Sequence, residues 1–224
     1  MASVAVALSK DLPNGRVMRA IVSDQDLVIW RSKSGILSAW ENRCPHRGMR
    51  LSHGFVRGEA LACMYHGWHY DKSATCRYIP AHPELEPPET IRAQEFQSVE
   101  KDGLIWVNVN DKITPPAMPE GLVPLRSIGF RCPSETLKDV MSDKVNDAEY
   151  FNFTISKHDD DHWVLKLNIS DIKLNIFFQE LPNNACKIHA LIDKDCPAKT
   201  KKQISRMMES WRRSAESHYE VSAK

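Results

Sequence analysis

The chain has 224 residues, room for one large domain or two small ones. Its 42% hydrophobic and 26% charged residues are an ordinary globular balance. With 30 Lys and Arg against 29 Asp and Glu, a net charge of +1, nothing points to nucleic acid or an anionic membrane as partner. No apolar run approaches the roughly 20 residues of a spanning helix, so no membrane association is expected. The N-terminal MASVAVALSKDLPNG is mildly apolar but lacks the basic start of a signal peptide, and a cytoplasmic location is the simpler expectation.

The first 115 residues read as many short strands. GRVMRAIV (15–22), DLVIWRS (26–32), GILSAWE (35–41), GEALACM (58–64) and DGLIWVNV (102–109) are rich in β-branched and aromatic residues and are separated by Gly, Asn and Asp turns. That rhythm predicts a small antiparallel barrel or sandwich. ELEPPET (84–90) is a loop, because proline offers no ladder donor. The proline-rich KITPPAMPEGLVP (112–124) reads as a linker.

Beyond it the character changes. SETLKDVMSDKVNDAEYF (134–151) begins like a helix, with Ser134 as a candidate cap and Lys138 in place of the acidic partner of a capping box. HWVLKLNIS (162–170), IKLNIFFQE (172–180) and CKIHALID (186–193) predict three consecutive strands, with PNN (182–184) turning between the last two. In AKTKKQISRMMESWRRSAESHYE (198–220), Ile204, Met207, Met208, Trp211 and Ala215 share one helical stripe, which predicts a long terminal helix laid over a sheet. Three segments follow: residues 1–115, a linker over 116–133, and an α+β domain over 134–224. If Phe177 and Phe178 face outward, they mark an interface.

The six cysteines are Cys44, Cys63, Cys76, Cys132, Cys186 and Cys196. The chain is too large and too regular for a disulfide scaffold, so four of them read as plain thiols. Cys44 and Cys63 belong to a pattern. CPHRG sets Cys44 one residue from His46, and CMYHGWHYD sets Cys63 two residues from His66, with sixteen residues between the pairs. Two thiols and two imidazoles suit tetrahedral zinc. They equally suit an iron–sulfur centre with both thiolates on one iron and both imidazoles on the other, one Cys and one His from each loop.

CPHRG and CMYHGWHYD closely resemble the two cluster-binding loops of Rieske proteins. The stretch LVIWRSKSGILSAWENRCPHRGMRLSHGFVRGEALACMYHGWHYDKSATCRYIP is similar to the N-terminal domain of aromatic-ring and demethylating Rieske oxygenase large subunits, the phthalate- and vanillate-like group. VEKDGLIWVNVND (99–111) is similar to the strand that closes that domain. The resemblance implies an all-β Rieske domain, a helix-grip-like second domain, and a 2Fe–2S cluster held by Cys44, His46, Cys63 and His66. Met49 and Tyr65 stand where high-potential Rieske proteins carry a disulfide, and Trp68 where they carry a serine beside a bridging sulfide. Fewer hydrogen bonds to sulfur imply a potential at the low end of the range. Pro45, Arg47 and Trp68 read as the cluster's rim.

The resemblance breaks at the mononuclear iron of those oxygenases. In KVNDAEYFNFTISKH, if Asp147 matches the family's aspartate, Tyr150 and Ile155 occupy the positions of its two histidines. The chain also continues only a short way past the Rieske segment. His158 and His162 are four apart and would share a helical face, but KHDDDHW reads as a solvated turn. His53, His69, His82, His189 and His218 read as surface or hydrogen-bonded histidines, with His69 close enough to tune the cluster. The expectation is an electron-transfer component with no mononuclear iron of its own. A reductase would be its donor and a catalytic oxygenase subunit its acceptor, in a trimeric arrangement. A complete oxygenase using His158 and His162, and a redox-sensing protein, are the alternatives.

Overall fold

The computed structural model describes residues 3–110, 112–143, 153–159, 162–167 and 172–222. The chain divides into two compact units, residues 1–101 with 105–115, and residues 116–224 with 102–104. Among the described residues no helix is long and apolar enough to cross a membrane.

The first unit is built from β1 (Val4–Leu8), β2 (Arg16–Val22), β3 (Gln25–Arg31), β4 (Leu37–Glu41), β5 (Phe55–Arg57), β6 (Ala60–Ala62), β7 (His69–Tyr70), β8 (Cys76–Tyr78), β9 (Glu95–Lys101) and β10 (Leu104–Asn108). Six strands form a sheet in the order β1-β10-β9-β4-β3-β2, and four form a second in the order β5-β6-β7-β8. Strand β3 explains the arrangement. Successive side chains leave a strand on opposite faces, and Leu27, Val28, Ile29 and Trp30 are all fully buried. Both faces of this strand are therefore covered. Val28 and Trp30 join Trp40, Leu61 and Tyr70 in one core, while Leu27 and Ile29 join Val6, Phe96 and Ile105 in another. Trp30 and Trp40 meet edge to face with ring centroids 5.1 Å apart. The first of these cores also contains Cys44 and Cys63.

The second unit comprises β11 (Leu122–Phe130), α1 (Ser134–Asp143), β12 (Phe153–Asp159), β13 (His162–Leu167), β14 (Lys173–Leu181), β15 (Ala185–Asp193) and α2 (Ala198–Ser222). Its five strands are antiparallel in the order β11-β15-β14-β13-β12. The predicted hairpin turn is present, with Asn183 and Asn184 both at positive φ, where asparagine is among the better-tolerated side chains. Pro197 precedes α2, where a missing N–H costs nothing, and its carbonyl accepts from Lys201 N–H at 2.9 Å. The stripe of Ile204, Met207, Met208, Trp211 and Ala215 packs onto Ile176, Phe178 and Ile188 of the sheet, within one core.

Several expectations are corrected here. The stretch 116–133 is no plain linker, because β11 occupies Leu122–Phe130. Pro124 is accommodated because β11 is an edge strand with a register shift between Pro124 and Arg126, the setting in which a strand tolerates proline. The helix starting at Ser134 is described as far as Asp143, and Asp147 and Tyr150 lie outside the described residues. Ile155 sits on β12, a strand, and packs against the core rather than lying on a helix. His158 and His162 belong to the β12–β13 hairpin, so they do not share a helical face. Phe177 and Phe178 are both buried, one on each face of β14, and mark no exposed patch.

The sheet face opposite the helices carries buried polar groups in cross-strand register: Ser127 is opposite His189, His189 opposite Phe177, and Phe177 opposite His162. His162 stacks on Phe177 and bonds Asn175 Oδ1 through Nε2 at 3.1 Å. His189 lies between Ser127 Oγ, 2.8 Å from Nδ1, and Gln179 Oε1, 3.1 Å from Nε2. Burial, with a smaller contribution from Lys187, pushes its imidazole down to about 3. The folded state therefore keeps His189 neutral while an unfolded chain protonates it below about pH 6.5, so stability is lost as pH falls through that value. We expect urea unfolding of the second unit to lose roughly 2 kcal/mol between pH 7 and pH 5 from this group. A His189→Gln variant should show a correspondingly shallower pH slope, and an unchanged slope would refute the assignment.

Candidate cluster site

The site is made by two loops of the same construction. In the first, between β4 and β5, Cys44 N–H donates to Met49 O at 2.8 Å and Gly48 N–H donates to Cys44 O at 2.8 Å. In the second, between β6 and β7, Cys63 N–H donates to Trp68 O at 2.9 Å and Gly67 N–H donates to Cys63 O at 3.0 Å. Each turn closes at its fifth residue on a glycine with positive φ, +73° at Gly48 and +69° at Gly67, a conformation that a side chain disfavours. The stem of the first loop is clamped by Asn42, whose Nδ2 donates to Asp26 Oδ1 and to Ser52 Oγ, both at 2.9 Å, while its Oδ1 accepts from Ser52 N–H at 2.7 Å. Gly54 lets the two loops lie side by side, since a Cβ there would press on the carbonyls of Ala62 and Leu51.

These turns sort the four side chains by solvent. Cys44 and Cys63 are each 3% exposed and sit in the apolar core, close enough for their sulfurs to interact. His46 is half-buried and His66 exposed. Their rings face each other at 4.7 Å between centroids. Trp68 stacks flat on His46, at 4.0 Å and 5° between planes, and Tyr65 stacks on His66 at 3.9 Å. Pairing of β5, β6 and β7 brings the two loops and all four predicted residues into one place, and the turns divide them into a thiol pair and an imidazole pair.

The environment of the sulfurs is informative. Burial pushes the Cys63 thiol up, backbone N–H groups of Tyr65 and His66 pull against that, and the neighbouring Cys44 adds to the rise. Tyr70 Oη lies 3.1 Å from Cys44 Sγ. Burial first, and then this contact, hold the Tyr70 phenol far above its ordinary range, so it keeps its proton and can donate it. Backbone and phenolic donors aimed at buried sulfur are suited to thiolate, a charge the apolar core tolerates only beside a cation. The donor set therefore fits an iron–sulfur group with thiolates on one side and imidazoles on the other. Among the described residues no three His, Cys, Asp or Glu side chains gather around a position for one ion.

Tyr70 is the functional neighbour that sequence reading missed. It lies two residues beyond Trp68 on β7, in register with Leu61 and pointing into the same core as the cysteines, a placement that only the fold reveals. His69, on the opposite face of β7, stacks on Tyr78 at 5.1 Å, and burial lowers its imidazole pKa.

Comparison with known proteins agrees with this geometry. Residues 2–96 match the Rieske [2Fe-2S] domain. This part of the chain is a Rieske domain. It is 43% identical over 115 residues to oxidoreductase NdmD of Pseudomonas putida, covering 51% of this chain and 19% of that protein. It is 39% identical over 117 residues to 4beta-methylsterol monooxygenase of Methylococcus capsulatus, covering 50% of this chain and 30% of that protein. The chain thus spans less than a third of these relatives' lengths. Among solved structures, dicamba monooxygenase bound to dicamba superposes with a TM-score of 0.79 at 16% identity, covering 99% of this chain and 88% of that one, which establishes a shared fold.

Proposed function

We propose that Cys44 and Cys63 hold one iron of a Rieske cluster and His46 and His66 the other, and that the protein relays single electrons within an oxygenase system. The observation that carries this reading is the pairing of buried thiols behind surface-facing imidazoles. Monooxygenases among the relatives support the oxygenase setting. When bound, such a cluster takes up and releases one electron at a time.

The protein's own residues supply the rest. The two loops present the imidazole edge to a partner and keep the sulfur side dry. Trp68 and Tyr65 fix the ring planes of His46 and His66. Tyr70 donates to Cys44 and favours the more negative, reduced state. Electrons would arrive from a reductase and leave for a mononuclear iron on a partner subunit, in a ring of three. For an iron within this chain, His162 is a poor ligand, since it is buried, with Nε2 engaged by Asn175.

Freshly purified protein should contain two irons and two acid-labile sulfides per chain. A third iron, removable by mild chelation without loss of the cluster spectrum, would overturn the relay reading in favour of a complete oxygenase. Tyr70→Phe should keep the cluster but lower its potential. A differential hydrogen bond of about 1 kcal/mol corresponds to roughly 40 mV for one electron, measurable by spectroelectrochemical titration. An unchanged potential would remove Tyr70 from the account.

A further inference from the structure

Beside the first loop lies a concavity of about 400 Å³ whose lining includes Arg43, Arg47 and Arg92, with Glu41 as its one acidic residue. The same hollow reaches Cys44 and His46. Arg92 is ion-paired with Glu95 at 3.3 Å, but neither Arg43 nor Arg47 pairs with a carboxylate among the described residues. In a chain of net charge +1 this is a local excess of positive charge, placed at the edge of the imidazole pair. On the other loop, Met64 and Tyr65 are 48% and 57% exposed next to His66. A basic hollow on one side of the two imidazoles and an uncovered apolar knob on the other form a two-part contact surface.

We propose that this surface is the docking site for an acidic electron-transfer protein, with one of its carboxylates received between Arg43 and Arg47 and an apolar patch laid on Met64 and Tyr65. The inference rests on the relay reading above and adds where the donor binds and by what chemistry. Guanidinium groups suit the occupant because they meet carboxylates in bidentate geometry. Exposed aromatic and Met side chains, enclosed by charged neighbours, are the usual anchors of a transient interface. The arginines steer the encounter, and the apolar contact holds the imidazole edge against the partner long enough for one electron to pass.

The test uses the full chain with its cluster, whose presence is first established by visible spectrum and iron content. The probe is a plant-type [2Fe–2S] ferredoxin of acidic surface, kept reduced, and the readout is the bimolecular rate of cluster reduction in stopped flow across a salt series. For the unaltered protein the rate should fall steeply with salt. The double variant Arg43→Gln with Arg47→Gln should be about tenfold slower at low salt and show a shallower salt dependence. Lys202→Gln with Arg213→Gln, the same loss of charge on exposed positions of α2, should stay within about twofold of the unaltered protein. Tyr65→Ser should slow the reaction at high salt, where steering is screened.

Equal losses in the two double variants would mean that only net charge matters and would overturn the proposal. So would a rate that ignores salt. A protein that binds no cluster would instead refute the relay reading itself, which keeps the two failures distinct.

Discussion

The site depends on one backbone device used twice: a turn in which a cysteine carbonyl accepts from the glycine four residues on, while the cysteine N–H reaches the carbonyl five residues on. The device fixes where a side chain at its start and one near its end can point. At the start, Cys44 and Cys63 drop into a core bounded by Trp30, Trp40 and Tyr70. Near the end, His46 and His66 emerge at the surface and face one another. Sulfur in a dry interior and imidazole at the water boundary are therefore consequences of turn geometry. The same turns leave backbone N–H groups of Tyr65 and His66 free to approach Cys63 sulfur, so the loop both points that sulfur inward and supplies it with hydrogen-bond donors.

The second unit follows a different logic. One face of its sheet packs against α1 and α2 through an apolar core. The other carries His162, Asn175, Gln179 and His189, all buried, and mostly joined in hydrogen-bonded pairs. Pairs of this kind penalise any slip of strand register, because a one-residue shift would leave each partner buried and unsatisfied. Asn175 Nδ2 is the exception, buried without a hydrogen-bond partner. His162 and His189 are thus engaged as parts of the sheet, each bonded to a neighbouring side-chain amide.

Much of this was legible in the sequence, for identifiable reasons. Strands β2, β3, β4 and β10 carry β-branched and aromatic runs long enough to read, and α2 carries an unbroken stripe. Strands β5, β7 and β8 are two or three residues long and carry no readable alternation. Their existence follows from cross-strand pairing with the strands next to them in the chain. Pro124 hid β11, since its exemption as an edge residue is a fact of topology. KHDDDHW reads as a turn, but the strand β12 that leads into it does not stand out in the sequence. Which way the two phenylalanines of β14 face stays open in the sequence, because a single sequence does not reveal that both faces of a strand are covered. Cys44, His46, Cys63 and His66 stand out in the sequence by spacing and by resemblance to Rieske loops. Tyr70 and the arginine hollow do not, because each becomes significant only when two loops are brought together.

The central claim is that both imidazoles share one iron and both thiolates the other. Pulsed electron paramagnetic resonance on the reduced protein tests it most directly. The account predicts two inequivalent ¹⁴N couplings from directly bound imidazoles, with one lost in each of His46→Cys and His66→Cys variants that still retain iron. A reduced cluster without nitrogen coupling, or purified protein carrying stoichiometric zinc and no iron, would contradict it.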